Sequence, residues 1–141
     1  MNKIRRTSIV FCAGQYLPKK YGECWNIHGH NFKVNILLKT KGIVDFKLIK
    51  VEVNKLDHCT MAPEKHKFFW DKIIEVREEY DDDELPIFKM AYLPVEELTV
   101  EEIGKYLRKR IEEIPGVIKA ELELFETDNC SAIIDEEILR E

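Results

Sequence analysis

The chain has 141 residues, 45% of them hydrophobic and 35% charged, with a formal net charge of −5. That length sets a single domain with a real core as the expectation, and the acidic balance excludes the basic footprint of a nucleic-acid binder. No apolar run approaches the roughly 18 residues of a membrane span. Lys3, Arg5 and Arg6 precede an apolar stretch that is too short for a signal core and lacks a small-residue cleavage site. Cys12, Cys24, Cys59 and Cys130 form no Cys-x-x-Cys pair and read as reduced thiols of a cytoplasmic protein.

Residues 6–13 are predicted as the first strand, with Ile9, Phe11 and Ala13 on one face and Cys12, inside the strand pattern, inert. A loop with Pro18 and Gly22 leads to Cys24-Trp25-Asn26-Ile27-His28-Gly29-His30. Phe32, Val34, Ile36 and Leu38 then alternate with polar residues, which predicts a half-buried strand through Thr40. If His28 and His30 continue that strand, they project on the side of Phe32. Two imidazoles at the mouth of a core suit a divalent metal, most often zinc, although they also suit ordinary strand-end residues.

Asp45 is a plausible N-cap for a helix carrying Phe46, Ile49, Val53 and Leu56, which stops near Asp57-His58. An Asp beside a His can fix its tautomer and hold its proton, as acid–base chemistry requires, and such neighbours also arise by chance. His66, in a lysine-rich stretch, reads as a surface residue. Phe69, Ile73, Val76 and Tyr80 have helical spacing, an acidic turn follows, and residues 87–93 read as a strand. Thr99 and Glu102 fit a capping box, opening a helix with a stripe of Val100, Ile103, Leu107 and Ile111.

The last strong strand covers residues 117–127, with Ile118, Ala120, Leu122 and Leu124 in one phase and Glu126 next in line. A carboxylate in the core phase is costly unless it is paired. A heterocycle presenting two N–H donors would satisfy it; otherwise the strand ends at Leu124 or a bulge turns Glu126 to solvent. A short strand around residues 132–134 completes an α+β domain, an antiparallel sheet covered on one face by two helices.

Phe-x-Ala near the start, Cys…His-Gly-His, Val44 to Lys50, Leu-Asp-His, Thr-x-Glu (Thr99 to Glu101) and Glu-Thr-Asp-Asn (Glu126 to Asn129) occur in that order. Together they resemble the 6-pyruvoyltetrahydropterin synthase superfamily, which includes the queuosine-pathway 6-carboxytetrahydropterin synthase. The resemblance spans nearly the whole chain. It implies a tunnelling (T-) fold over residues 1–141, with an antiparallel four-stranded sheet and a variable insertion at about 63–95. In that fold, strands pair into an oligomeric barrel, commonly a hexamer of two trimers, with active sites at subunit contacts.

The resemblance further implies that His28 and His30 are zinc ligands, Cys24 is the base, Asp57 and His58 are a proton relay, and Glu126 anchors a pterin. Thr99 and Glu101 would lie near the pterin. The implied reaction is zinc-dependent lysis of 7,8-dihydroneopterin triphosphate to 6-carboxytetrahydropterin, favoured over the pyruvoyl product by the three residues between Cys24 and His28. One departure stands out. The family writes Phe-x-Ala-x-His, the His being its first zinc ligand, and this chain has Gln15 there. Gln15 is in phase with Phe11 and Ala13 and so stands in for the third metal ligand, although an amide oxygen is a poor one for zinc. Either it or a replacement such as His58 or His66 completes a weaker site, or the protein has become a non-catalytic pterin- or purine-binding T-fold.

Overall fold

β1 (Asn2–Gln15) and β2 (His28–Lys41) form a long antiparallel hairpin in the computed structural model, which describes residues 2–134. α1 (Phe46–Asn54), β3 (Cys59–Pro63), α2 (Lys67–Glu78), β4 (Met90–Leu93), α3 (Val100–Glu112), β5 (Val117–Thr127) and β6 (Cys130–Ile134) follow. The strands lie side by side in the order β4-β3-β1-β2-β5-β6.

This is a six-stranded mixed sheet where four antiparallel strands were expected. The hairpin and its neighbours β5 and β6 are antiparallel, but β3 runs parallel to both β1 and β4. β3 was not legible because Cys59-Thr60-Met61-Ala62-Pro63 is buried almost throughout and shows no period of two. A strand buried on both faces loses the alternation by which strands are found.

The α+β layering is as expected. β1 and β2 turn Ile9, Phe11, Phe32, Val34, Ile36 and Leu38 inward, joined by Leu122 and Leu124 of β5. Phe11 and Phe32 stack at 5.0 Å between ring centroids. Ile49 and Val53 of α1 and Ile103, Leu107 and Ile111 of α3 are fully buried against this face. Each of these residues contributes about 1.5–3 kcal/mol by burial. Thr99 caps α3 by accepting the Glu102 N–H at 3.3 Å.

Two local departures from the expected faces occur. Ile118 is 43% exposed although it shares the phase of Leu122, because the β2–β5 register slips between Lys39 and Thr40 and leaves Ile118 outside the pairing. On α2 the buried residue is Trp70, whereas Phe69 is exposed. The stripe there is Trp70, Ile73, Ile74 and Arg77, one residue later than the expected start.

Candidate functional site

The inward face of the hairpin ends in polar side chains. The register pairs Ala13 with His30 and Gln15 with His28, so Gln15, His28 and His30 prolong the row that holds Phe11 and Phe32. His30 stands edge-on to Phe32 at 5.6 Å, and His28 stands edge-on to His30 at 4.9 Å. Phe32 at the top of the core thus backs the His30 ring, and His30 in turn backs His28.

β5 supplies the carboxylate. Its pairing with β6 shifts between Phe125 and Thr127, and a bulge of this kind re-aims the side chain it carries. Glu126 Oε1 accepts from Gln15 Nε2 at 2.6 Å and lies 2.9 Å from His30 Nε2. The second approach is close but not aligned as a hydrogen bond, for among the described residues His30 Nε2 is one of the buried atoms without a hydrogen-bond partner. His28 donates Nδ1–H to the Asn26 carbonyl at 2.7 Å. A neutral ring that donates from Nδ1 keeps a lone pair on Nε2, and His28 Nε2 is likewise buried without a partner among the described residues.

A buried polar atom left unpaired costs about 1–3 kcal/mol. One ligand atom from each of His28, His30 and Glu126 lies within 4.8 Å of the others. Two imidazole nitrogens and one carboxylate oxygen form the donor set of a catalytic zinc site of the two-His, one-Glu kind. A divalent cation bound between them would satisfy both orphaned nitrogens, so the residues present fit the metal that the sequence led us to expect. Gln15 is 1% exposed and belongs to the same cluster, with its amide nitrogen on Glu126. Neither His58 nor His66 joins this group.

Asp57 and His58 lie elsewhere. Asp57 Oδ1 accepts the Cys12 N–H at 2.8 Å, and Oδ2 lies 2.9 Å from His58 Nδ1. Those two contacts, the Cys12 N–H first, hold the Asp57 carboxyl below its ordinary range. His58 has a φ of 59°, the left-handed conformation that turns the end of α1 into β3. It lines a cleft of about 420 Å³ with Cys12, Gly14, Gly29, His30, Asn31 and Thr60. Gly14 and Gly29 are cross-strand partners and leave that outward face bare. Among the described residues, no hydrogen bond or ion pair links this pair to the His28–His30–Glu126 group. Cys12 opens on the same side and is exposed, its Sγ donating to Asn31 Oδ1 at 2.9 Å.

Cys24 is exposed in a short 3₁₀ segment (Lys19–Trp25) broken at Gly22. Its carbonyl accepts the Leu17 N–H at 2.8 Å. Glu97 pins the segment, accepting from the Tyr21 hydroxyl at 2.6 Å and pairing with Lys20 at 2.8 Å. Lys20 and Tyr21 together lower the Glu97 carboxyl. Glu101 is exposed on the first turn of α3, and neither it nor Thr99 is hydrogen-bonded to the histidine cluster among the described residues.

Sequence reasoning missed one polar cluster. His66 is half-buried rather than on the surface, with Nδ1 2.8 Å from the Tyr16 hydroxyl, which also accepts from Trp70 Nε1 at 3.0 Å. Burial is the largest influence on the Tyr16 phenol and raises its pKa. The only available signal was Trp70, an aromatic one step off the expected stripe.

The sequence profile described as 6-pyruvoyl tetrahydropterin synthase matches residues 3–137. A Methanocaldococcus jannaschii protein named "Putative 6-carboxy-5,6,7,8-tetrahydropterin synthase" is 28% identical over 102 residues. The alignment covers 62% of this chain and 63% of that protein, so the chain spans less than two thirds of that relative. The 6-pyruvoyl tetrahydropterin synthase of Plasmodium falciparum superposes with a TM-score of 0.63 at 20% identity, over 94% of this chain and 96% of the other. The enzyme of that name from Caenorhabditis elegans gives 0.59 at 15% identity, over 97% of both chains. At such identities the likeness establishes the fold. The profile match, nearly as long as the chain, establishes more: this protein belongs to the 6-pyruvoyl tetrahydropterin synthase family.

Proposed function

We propose that the protein is a zinc-dependent carbon–oxygen lyase that converts 7,8-dihydroneopterin triphosphate to 6-carboxytetrahydropterin. The observation that carries this reading is the pair of orphaned nitrogens, His28 Nε2 and His30 Nε2, gathered with a Glu126 oxygen within 4.8 Å. When bound there, zinc would act as a Lewis acid on the substrate's side-chain hydroxyls and acidify the neighbouring C–H.

The chain's own groups do the rest. His28 and His30 hold the cation through Nε2, and the Asn26 carbonyl keeps His28 in the required tautomer. Cys24, on its pinned segment, removes the proton from carbon. Asp57 orients His58, which returns a proton as triphosphate leaves. Addition of water and cleavage of the bond between the first and second side-chain carbons then release the outer two carbons as acetaldehyde and leave the carboxy group. Both contacts of Glu126 described above use Oε1, and Oε2 receives a pterin N–H. Because no hydrogen bond or ion pair among the described residues joins Asp57 or His58 to the histidine cluster, their relay is assigned to the site of an adjoining copy. This supports a homo-oligomer, with the expected hexamer as its form. Thr99 and Glu101 border the pterin.

The spacing of Cys24 and His28 favours the carboxy product over the pyruvoyl one. Mass spectrometry of the products from dihydroneopterin triphosphate and zinc-loaded protein tests the reading. The carboxy product supports it, the pyruvoyl product would move the protein to the other branch, and unchanged substrate would overturn the lyase.

A further inference from the structure

The position where the family has a histidine ligand is Gln15, and its surroundings are those of a remodelled site. Gln15 is 1% exposed and sits opposite His28 in the hairpin register. Its Nε2 donates to Glu126 Oε1 at 2.6 Å, a short hydrogen bond to a charged acceptor. An ionised carboxylate only accepts, so the amide must turn its nitrogen toward Glu126 and its oxygen away. Gln15 Oε1 therefore points away from Glu126 and, among the described residues, is itself buried without a hydrogen-bond partner. The bulge in β5 sets Glu126 beside both imidazoles, 2.9 Å from His30 Nε2.

From this geometry we infer that Gln15 and Glu126 replace one histidine as a unit: Glu126 is the third ligand of the bound cation, and Gln15 is the positioning residue that holds the carboxylate in place. An N–H donor on a ligating carboxylate is the usual outer partner that orients a metal ligand. The exchange alters the site's charge, because an anionic ligand takes the place of a neutral imidazole. It also restricts Glu126 in its other role. With Oε1 committed to the cation and to Gln15, only Oε2 is free to meet a pterin, and the paired N–H recognition that two carboxylate oxygens allow is lost. The inference rests on the metal reading above.

The test is zinc affinity by competition with a chromophoric chelator, together with the absorption spectrum of the cobalt(II)-loaded protein. It uses wild type, Glu126→Gln, Gln15→Leu and the double variant Gln15→His/Glu126→Gln, each checked for cooperative melting. Loss of an outer partner lowers metal affinity by about 10–100-fold, so Gln15→Leu should fall in that range and alter the cobalt spectrum, which a residue of purely structural importance would leave alone. Glu126→Gln should lose more than that. The double variant, with three histidines available, should recover to within about tenfold of wild type.

Unchanged affinity and spectrum in Glu126→Gln would overturn the inference while leaving the lyase reading in place on His28 and His30. Unchanged behaviour of Gln15→Leu would overturn the positioning role. A double variant no tighter than Glu126→Gln would overturn the exchange of one histidine for the pair. No zinc bound by wild type would remove the inference and the metal reading together.

Discussion

The two polar centres of this chain are built in opposite ways. The His28–His30–Glu126 cluster stands on the ends of three neighbouring strands, with buried Gln15 beside it and Phe32 backing the His30 ring. The Asp57–His58 pair stands on a turn, with the His58 side chain 77% exposed and its backbone in the left-handed region. A strand-held, partly buried position suits ligands that must hold an ion in place. An exposed turn suits a group that meets its substrate only when something else, such as a second copy, covers it. In the proposed mechanism the apparatus is thus divided between a preorganised half and an accessible half.

Four experiments break or sharpen that division, beginning with the largest effect. Removing a metal ligand forfeits several kcal/mol of transition-state stabilisation, so His30→Ala should lower kcat/KM by about a thousandfold or more. Steady-state kinetics on dihydroneopterin triphosphate checks it; retained activity would detach the strand-end cluster from the chemistry.

Phe32 underlies His30 and is fully buried. Phe32→Ala should cost about 3–5 kcal/mol of stability, read by urea unfolding, and it should reduce zinc affinity as well. A variant that loses stability but keeps wild-type zinc affinity would show that the cluster does not depend on the core for its shape.

At His58 the two kinds of effect separate. Both His58→Gly and His58→Ala should reduce kcat by about 10²–10⁴-fold if the imidazole transfers a proton. The glycine variant should nevertheless be the more stable by about 1 kcal/mol, because a φ of 59° favours a residue without a Cβ. Thermal melts of the two would distinguish a proton-transfer role from a backbone role.

The smallest effect concerns acid. Asp57 has its carboxyl lowered by the Cys12 N–H and then by His58. Its contribution is therefore fully present above the unfolded Asp value of about 3.9 and is lost as pH falls through the lower folded value. The Cys12 amide resonance should report that loss in an NMR titration on the acid side, and Asp57→Asn should abolish the step. A midpoint at or above the ordinary Asp value would contradict the assignment of the contact.

The sequence made the strand-end centre legible and the turn only partly so. His28 and His30 continue a strong alternation into Phe32, so their common face followed from a period of two. Glu126 was visible for the same reason, as a carboxylate in the apolar phase of β5. Its attachment to Gln15 was not, because a contact across 111 residues depends on a bulge that no local pattern announces. The α+β class and both core helices followed from the stripes of α1 and α3. β3 did not, having no alternation, and without β3 the parallel half of the sheet was hidden. The separation of Asp57 and His58 from the histidines was hidden for a related reason. Which side of the hairpin the turn reaches is set by the pairing of Ala13 with Cys59, a tertiary fact.

The central claim is that His28 and His30 hold a metal. Elemental analysis of protein purified without added metal tests it most directly, on wild type and on the His28→Ala/His30→Ala double variant. The account predicts roughly one zinc per chain in the wild type, as for a catalytic site with three protein ligands, and almost none in the variant. A wild type free of metal, or a double variant that retains it in full, would contradict the account.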